Sequence, residues 1–289
     1  MPRRWLARWS TLAVLAAAVA LVGGSAPAAA APEAPAPLAT GWYLALGDSL
    51  AAGYQPGQGE DRDGGYVGQV LADVQETSPK TKLVNLSCPG ATTATLLSGG
   101  GSCAYDEGTQ LAQAEEFLHA HAKYTRLVTL DVGANDVAHC ASGLVLDYAC
   151  VGAGLTAVAT NLPAILERLR AAAGPGVQIV VLNYYNPFLA AWLAGPSGQQ
   201  LAQTSTVLQS ILNGSIAGAA GASAADLADV AAAFDSTNWT LVATSSWGTI
   251  PTNVAHVCAW TWMCVRQDIH ANDAGYAVLA AAVAARLPH

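Results

Sequence analysis

Short apolar runs alternate along this chain with longer stretches in which apolar residues recur every three or four positions. The runs Trp42–Leu46, Leu83–Asn85, Arg126–Asp131, Val177–Leu182 and Leu227–Ala231 are continuous rather than alternating, which suits strands buried on both faces. In NLPAILERLRAAAG, Leu162, Ile165, Leu166 and Leu169 fall at i, i+3, i+4 and i+7, and Gly174 closes the pattern. That spacing predicts an amphipathic helix. The stretch from Gln199 to Ala219 repeats the period with Leu201, Leu208, Ile211, Leu212 and Ile216, and Ala274 to Arg286 reads as a final, alanine-rich helix. Alternation of this kind predicts a three-layer α/β/α sandwich around a mostly five-stranded parallel sheet. No internal repeat and no second linker divides it, so a single domain is expected.

In open parallel sheets, ligands bind beyond the carboxyl ends of the strands, and polar residues gather at those ends here. Gly47-Asp48-Ser49 follows the first run, NLSCPGATT (Asn85 to Thr93) the second, DVGAND (Asp131 to Asp136) the third and NYYNPF (Asn183 to Phe188) the fourth. Gly, Asp and Ser at a strand end can simply make a turn. They can also display Ser49 for chemistry, and a hydrolytic serine then needs a histidine base. His119 and His121 lie two apart on a charged helical stretch and are expected in solvent; His139 and His256 each sit near a cysteine and read as structural; His289 is terminal. His270, in QDIHANDAGYAVLA, stands just before a helix with Asp268 two residues upstream. It is the candidate partner of Ser49.

The first forty residues are not expected to belong to the fold. Arg3, Arg4 and Arg8 precede a small apolar run from Thr11 to Val22 and a small-residue cleavage site at Ala28-Ala29-Ala30. This reads as a signal peptide over residues 1–30, with a Pro/Ala spacer over 31–40 and the folded domain over 41–289. The Arg3-Arg4 pair is a minimal hint of twin-arginine export. No later segment reads as a transmembrane span, so a secreted, extracellular protein without a stable membrane anchor is expected. Without those three arginines, nine Lys/Arg stand against twenty Asp/Glu, a net charge of −11 with His neutral. So acidic a chain does not follow phosphate backbones, which excludes nucleic acid as its partner.

Six cysteines in an exported chain permit full pairing. Fifteen connectivities are possible; Cys88–Cys103, Cys140–Cys150 and Cys258–Cys264 close the shortest loops at the least entropic cost. No CxxC or paired-His spacing suggests zinc. EDRDGG (Glu60 to Gly65) starts like a calcium loop but lacks the distant bidentate glutamate, and reads as a solvated loop. Tyr184, Tyr185, Phe188, Trp192, Trp260 and Trp262 could line an acyl-chain site or be ordinary packing.

ALGDSLAAG, NLSCPGATT, GAND and DIHANDAGY occur in the order and approximate spacing of the GDSL, or SGNH, hydrolase family. The chain resembles its secreted, disulfide-bearing bacterial lipases and esterases, and the matching blocks span Gly47 to His270. The resemblance implies Ser49 as nucleophile and His270 as general base. It also implies an oxyanion hole from the Ser49 N–H, the Gly90 N–H and the Asn135 side-chain amide. A neutral amide suits that role because it donates without titrating. Asp48 and Asp136 read as loop-organising carboxylates. The family places its aspartate three residues before the histidine, whereas Gln267 stands there and Asp268 follows; either Asp268 or a backbone carbonyl near Gln267 is left to orient His270. G-x-S-x-G, the α/β-hydrolase elbow, is absent. The expected activity is carboxylic ester hydrolysis by a monomer on a lipid or small acyl ester, with no metal or organic cofactor. A carbohydrate ester deacetylase and a phospholipase are the alternatives on the same fold, and a binding module without turnover is the non-enzyme alternative.

Overall fold

The computed structural model of the protein describes residues 41–288, so the signal-peptide and spacer expectations and His289 lie outside the described residues. Five parallel strands form the central sheet: β1 (Trp42–Gly47), β2 (Lys82–Asn85), β3 (Thr125–Asp131), β4 (Gln178–Leu182) and β5 (Asp226–Ala228). Their order is β2-β1-β3-β4-β5, so the chain leaves β1 first for one edge and then returns past it to the other. That reversal makes a crevice at the carboxyl ends of β1 and β3, the place such sheets offer to ligands. Tyr43, Leu44, Ala45 and Leu46 are fully buried in succession, as are Val128, Thr129, Leu130 and Asp131, which is why their apolar runs do not alternate.

The α-helices of six or more residues are α1 (Gly65–Thr77), α2 (Thr93–Ser98), α3 (Gln110–His121), α4 (Tyr148–Ala173), α5 (Pro196–Ala222), α6 (Thr252–Trp260) and α7 (Asp273–Ala284). α1 packs on α7, while α4 packs on α3 and α5, giving two helical layers. Helix α4 begins well before the predicted stretch. Asp147 starts it, its carboxylate accepting the Ala149 and Cys150 N–H groups at 3.0 Å each. By length and composition α4 could cross a membrane, contrary to the expectation that no segment after the leader could; here Val158, Leu162, Ile165, Leu166 and Leu169 are buried inside the fold.

Strand β5 stops earlier than its apolar run. The Asp229 carboxylate accepts the Ala232 N–H at 3.0 Å and turns the chain into a short helix, Val230–Ala233. One histidine departs from expectation. His119 is exposed, but His121 is partly buried, its ring 5.3 Å from Trp42 and 4.8 Å from Phe117.

Candidate active site

Strand β1 ends where its neighbour leaves no room for a side chain. Gly47 pairs with Asp131 across the sheet, and a Cβ at Gly47 would lie 1.5 Å from Asp131 Oδ1. The absent side chain lets that carboxylate accept the Asp48 N–H at 3.0 Å. Gln110, at the start of α3, grips the other side of the turn: its Oε1 accepts the Gly47 N–H at 2.8 Å and its Nε2 donates to Gly47 O at 3.1 Å. Asp48 closes the turn, accepting the Leu50 N–H at 2.9 Å and the Tyr184 O–H at 2.8 Å. Ser49 is thus held on a turn fixed from three directions.

His270 arrives from the other end of the chain. Short helix Met263–Arg266 ends at Gln267, whose left-handed φ of 54° reverses the backbone. Asp268 then folds over the next turn, and its Oδ1 accepts both the His270 backbone N–H at 3.0 Å and the imidazole Nδ1–H at 2.7 Å. An aspartate bonding two residues ahead is an Asx-turn, which is how a carboxylate two positions before the histidine, rather than three, reaches the ring. Asp268 therefore occupies the place left open to it or a backbone carbonyl. With Nδ1 engaged, Nε2 faces Ser49 Oγ at 2.8 Å. Tyr185 donates to Ile269 O at 2.6 Å and the Tyr54 ring lies 4.5 Å from the imidazole, fixing the loop from both sides.

Beside Ser49 are donors without acceptors. Among the described residues, neither the Ser49 N–H nor the Gly90 N–H donates to a protein group. Gly90 has a φ of 78° and is exposed; the conformation is one that glycine adopts without strain. Asn135 opens a short helix, Asn135–Ala138, and spends one amide hydrogen on Ala91 O at 3.0 Å. The other is left for the crevice that Asn135 lines. Asp136 ties the two loops together, accepting the Thr93 N–H at 2.9 Å and its hydroxyl at 2.6 Å. Burial raises its carboxyl pKa, with those two bonds pulling the other way.

Leu50, Val137, Tyr184, Tyr185, Phe188 and Leu212 give the crevice apolar walls, and it encloses about 510 Å³ counting the part open to solvent. The aromatic group divides: Tyr184, Tyr185 and Phe188 line the crevice, whereas Trp192 packs on Trp239 and Trp260 on Phe234. Trp262 donates to Gln55.

The chain matches the GDSL-like Lipase/Acylhydrolase family over residues 45–278. It belongs to that family. Among solved structures, a Parabacteroides merdae protein described as a GDSL-like lipase shares the fold at 14% identity, with a TM-score of 0.54, 84% of this chain and 93% of that chain covered. The phospholipase A1 of Streptomyces albidoflavus is similar at 20% identity, TM-score 0.47, covering 76% of this chain and 99% of that one. An extracellular lipase from Streptomyces rimosus gives 21% identity, TM-score 0.48 and coverages of 76% and 99%. No curated protein matches the chain at a significant level.

Three disulfides brace the loops of this GDSL hydrolase: Cys88–Cys103, Cys140–Cys150 and Cys258–Cys264, with Cα separations of 5.9, 5.5 and 5.0 Å. The first holds the Gly90 loop, the second the hairpin after Asn135, and the third joins α6 to the turn before His270. His139 lies 3.3 Å from Cys150 Sγ, but both sulfurs there are committed to the disulfide and offer no thiolate to a metal. Asp61 and Asp63 are exposed on their loop, whereas Arg62 between them donates to Ser87 O at 2.5 Å and steadies the chain leading to Gly90.

The bonds by which Gln110, Asp131 and Tyr184 hold the serine turn join residues distant in sequence, and of the three Gln110 carries no local signal at all. Asp131 is fully enclosed, and its Oδ2 has no partner among the described residues. Burial and the nearby Asp48 push its pKa well above the carboxylate range. Burial likewise pushes Asp48 from 3.8 up to about 6. At pH values between their unfolded and folded pKa values, both carboxyls hold protons in the fold that they would release when unfolded, so their contribution to stability is fully present only in acid. It falls as pH rises from about 4 through 6 and beyond. Asp131→Asn keeps the acceptor for the Asp48 N–H and removes one titration. Its melting temperature should decline less between pH 5 and pH 9 than that of the wild type; parallel declines would show that Asp131 is not protonated in the fold.

Proposed function

We propose that this GDSL hydrolase is a secreted serine enzyme that cleaves uncharged carboxylic esters through an acyl-enzyme on Ser49. One observation carries the reading: Asp268, His270 and Ser49 form an unbroken hydrogen-bonded chain of 2.7 and 2.8 Å at the mouth of an apolar crevice. Ser49 Oγ attacks the ester carbonyl and His270 Nε2 takes its proton. Asp268 holds the Nδ1–H tautomer and faces the imidazolium that forms. The tetrahedral oxyanion is received by the unpaired N–H groups of Ser49 and Gly90 and the spare amide hydrogen of Asn135. His270 then protonates the leaving alcohol, and water, deprotonated by the same nitrogen, releases the acid. Asp48, although close to the serine, is occupied by Leu50 and Tyr184 and serves the turn.

The crevice favours an acyl chain over a sugar. Its walls are mainly aliphatic and aromatic, and no Lys or Arg lines it to receive a phosphate or a sugar acid. Residues 1–40 serve as export signal and spacer in this reading, and three disulfides fit an oxidising compartment. A serine-directed phosphonate should add one label, mapped by mass spectrometry to Ser49. p-Nitrophenyl esters should be cleaved faster as the acyl chain lengthens beyond acetate. Labelling elsewhere, or acetate as the best acyl group, would oppose the proposal.

Asn135→Ala should lower kcat by roughly 10²–10³-fold with little change in KM, the range for one oxyanion donor. The same amide bonds Ala91 O, so the melting temperature is measured alongside. An unchanged kcat would remove Asn135 from the oxyanion site.

A further inference from the structure

A second hollow lies beside the crevice. Val137, Phe188, Gln209 and Leu212 bound both; the hollow is about 390 Å³ with its open part, and its other walls include Ala141, Leu146, Leu155 and Leu208. Those walls belong to three elements: the small hairpin Ala141–Leu146 closed by Cys140–Cys150, the first turns of α4, and the middle of α5. Each element also turns large apolar groups to water. Leu144 and Val145 at the hairpin tip are 46% and 69% exposed, Tyr148 at the start of α4 is 65%, and Val207 and Ile211, one turn apart on α5, are 61% and 49%. Ile211 directly precedes Leu212 and follows Leu208 by one turn. Apolar surface gathered on neighbouring elements, rather than scattered singly, marks a place of contact.

Charge says what kind of contact. From Asn183 to Ala225 the chain has no Asp, Glu, Lys, Arg or His. Between Val137 and Leu166 it has only His139 and Asp147, and Asp147 is engaged in capping α4. Yet the whole chain carries a formal charge of −8. A partner protein matched by ion pairs would find none here, and an anionic membrane would be repelled by the rest of the molecule. An uncharged ester-lipid surface fits: it needs apolar contact, accepts a tyrosine at its boundary, and supplies acyl chains beside a hollow that shares four lining residues with the crevice of Ser49.

We propose that the Cys140–Cys150 hairpin and the exposed edge of α5 form an interfacial docking surface that seats the enzyme on uncharged lipid aggregates and delivers acyl chains to the crevice. The proposal rests on the ester-hydrolase reading for its catalytic consequence, but not for binding itself. Docking ahead of catalysis makes the rate on an emulsion depend on the apolar rim, whereas a dissolved short ester reaches Ser49 without it.

The test compares wild type with Val145→Asp/Ile211→Asp on triolein emulsion and on dissolved p-nitrophenyl butyrate. Flotation of the Ser49→Ala protein, with and without the rim changes, accompanies it. The rim variant should lose tenfold or more on the emulsion and stay within about twofold on the dissolved ester. Ser49→Ala protein should float with triolein droplets more strongly than with phosphatidylglycerol vesicles, and the rim changes should abolish that flotation. Equal rates for both proteins on the emulsion, or stronger flotation with the anionic vesicles, would overturn the proposal. Flotation requires no turnover, so failure to cleave any ester would refute the hydrolase reading while leaving docking measurable. Val145→Ser/Ile211→Ser, gentler at exposed positions, repeats the comparison should the aspartates lower the melting temperature.

Discussion

Ser49→Ala protein is expected to fold normally and to lose ester hydrolysis by roughly 10⁶-fold in kcat, the scale seen when a triad nucleophile is removed. Among the described residues the side chain makes one hydrogen bond, the 2.8 Å bond to His270 Nε2, and that ring is only partly buried. Water can reach the nitrogen it leaves, so the stability change should stay within about 1 kcal/mol. Everything else around the serine is untouched by the substitution: Gln110 still holds Gly47, and Asp131 still holds the Asp48 N–H. The Ser49 and Gly90 backbone donors would also persist, and they could still polarise a bound ester toward water. A small residual rate therefore fits the proposal. Circular dichroism, the melting temperature and initial rates on p-nitrophenyl butyrate are the measurements. A folded Ser49→Ala protein with most of its turnover would place the chemistry elsewhere.

The central strands were legible because they are buried on both faces. β1 is apolar from Tyr43 to Leu46, and no surface residue interrupts it to blur the pattern. Helix α4 was legible only in its second half. Leu162 to Leu169 carry a clear period, whereas the first turns hold Gly152, Gly154 and threonines, residues with poor helical preference whose placement depends on packing and on the Asp147 cap. The site divides in the same way. Ser49 and His270 stand in distinctive neighbourhoods that can be read locally. Gln110 and Tyr184 act through bonds to Gly47 and Asp48 across sequence separations of 63 and 136 residues, and nothing beside them in sequence announces those partners. Asp131 could be seen at a strand end, but its pairing opposite Gly47, which leaves room for its carboxyl group, is a property of sheet register. The apolar rim was hidden for another reason. Ile211 belongs to the same helical period as Leu208 and Leu212, and a period shows which face is apolar without showing where that face ends.

Asp268→Ala is expected to cost on the order of 10⁴-fold in kcat, the loss associated with an imidazole left in the wrong tautomer. Oδ1 of Asp268 accepts the ring Nδ1–H at 2.7 Å and the His270 backbone N–H at 3.0 Å. Alanine removes both bonds at once, freeing the ring to turn and its proton to move to Nε2, where it would block attack by Ser49. Asp268→Asn separates orientation from charge. The backbone N–H demands an oxygen, so the amide should present its carbonyl toward both donors and preserve the tautomer. What disappears is the negative charge facing the imidazolium, and that loss should be the smaller, roughly 10–10²-fold, in line with the scale of about 1.5–3 kcal/mol for a charge-assisted bond. KM should change little in either variant, because neither bond touches the ground-state ester. Rates falling in the order wild type, Asn, Ala, each with a melting temperature near that of the wild type, would establish Asp268 as the orienting carboxylate. An alanine variant within tenfold of the wild type, beside a crippled His270→Ala control, would reduce the proposed triad to a Ser49–His270 dyad.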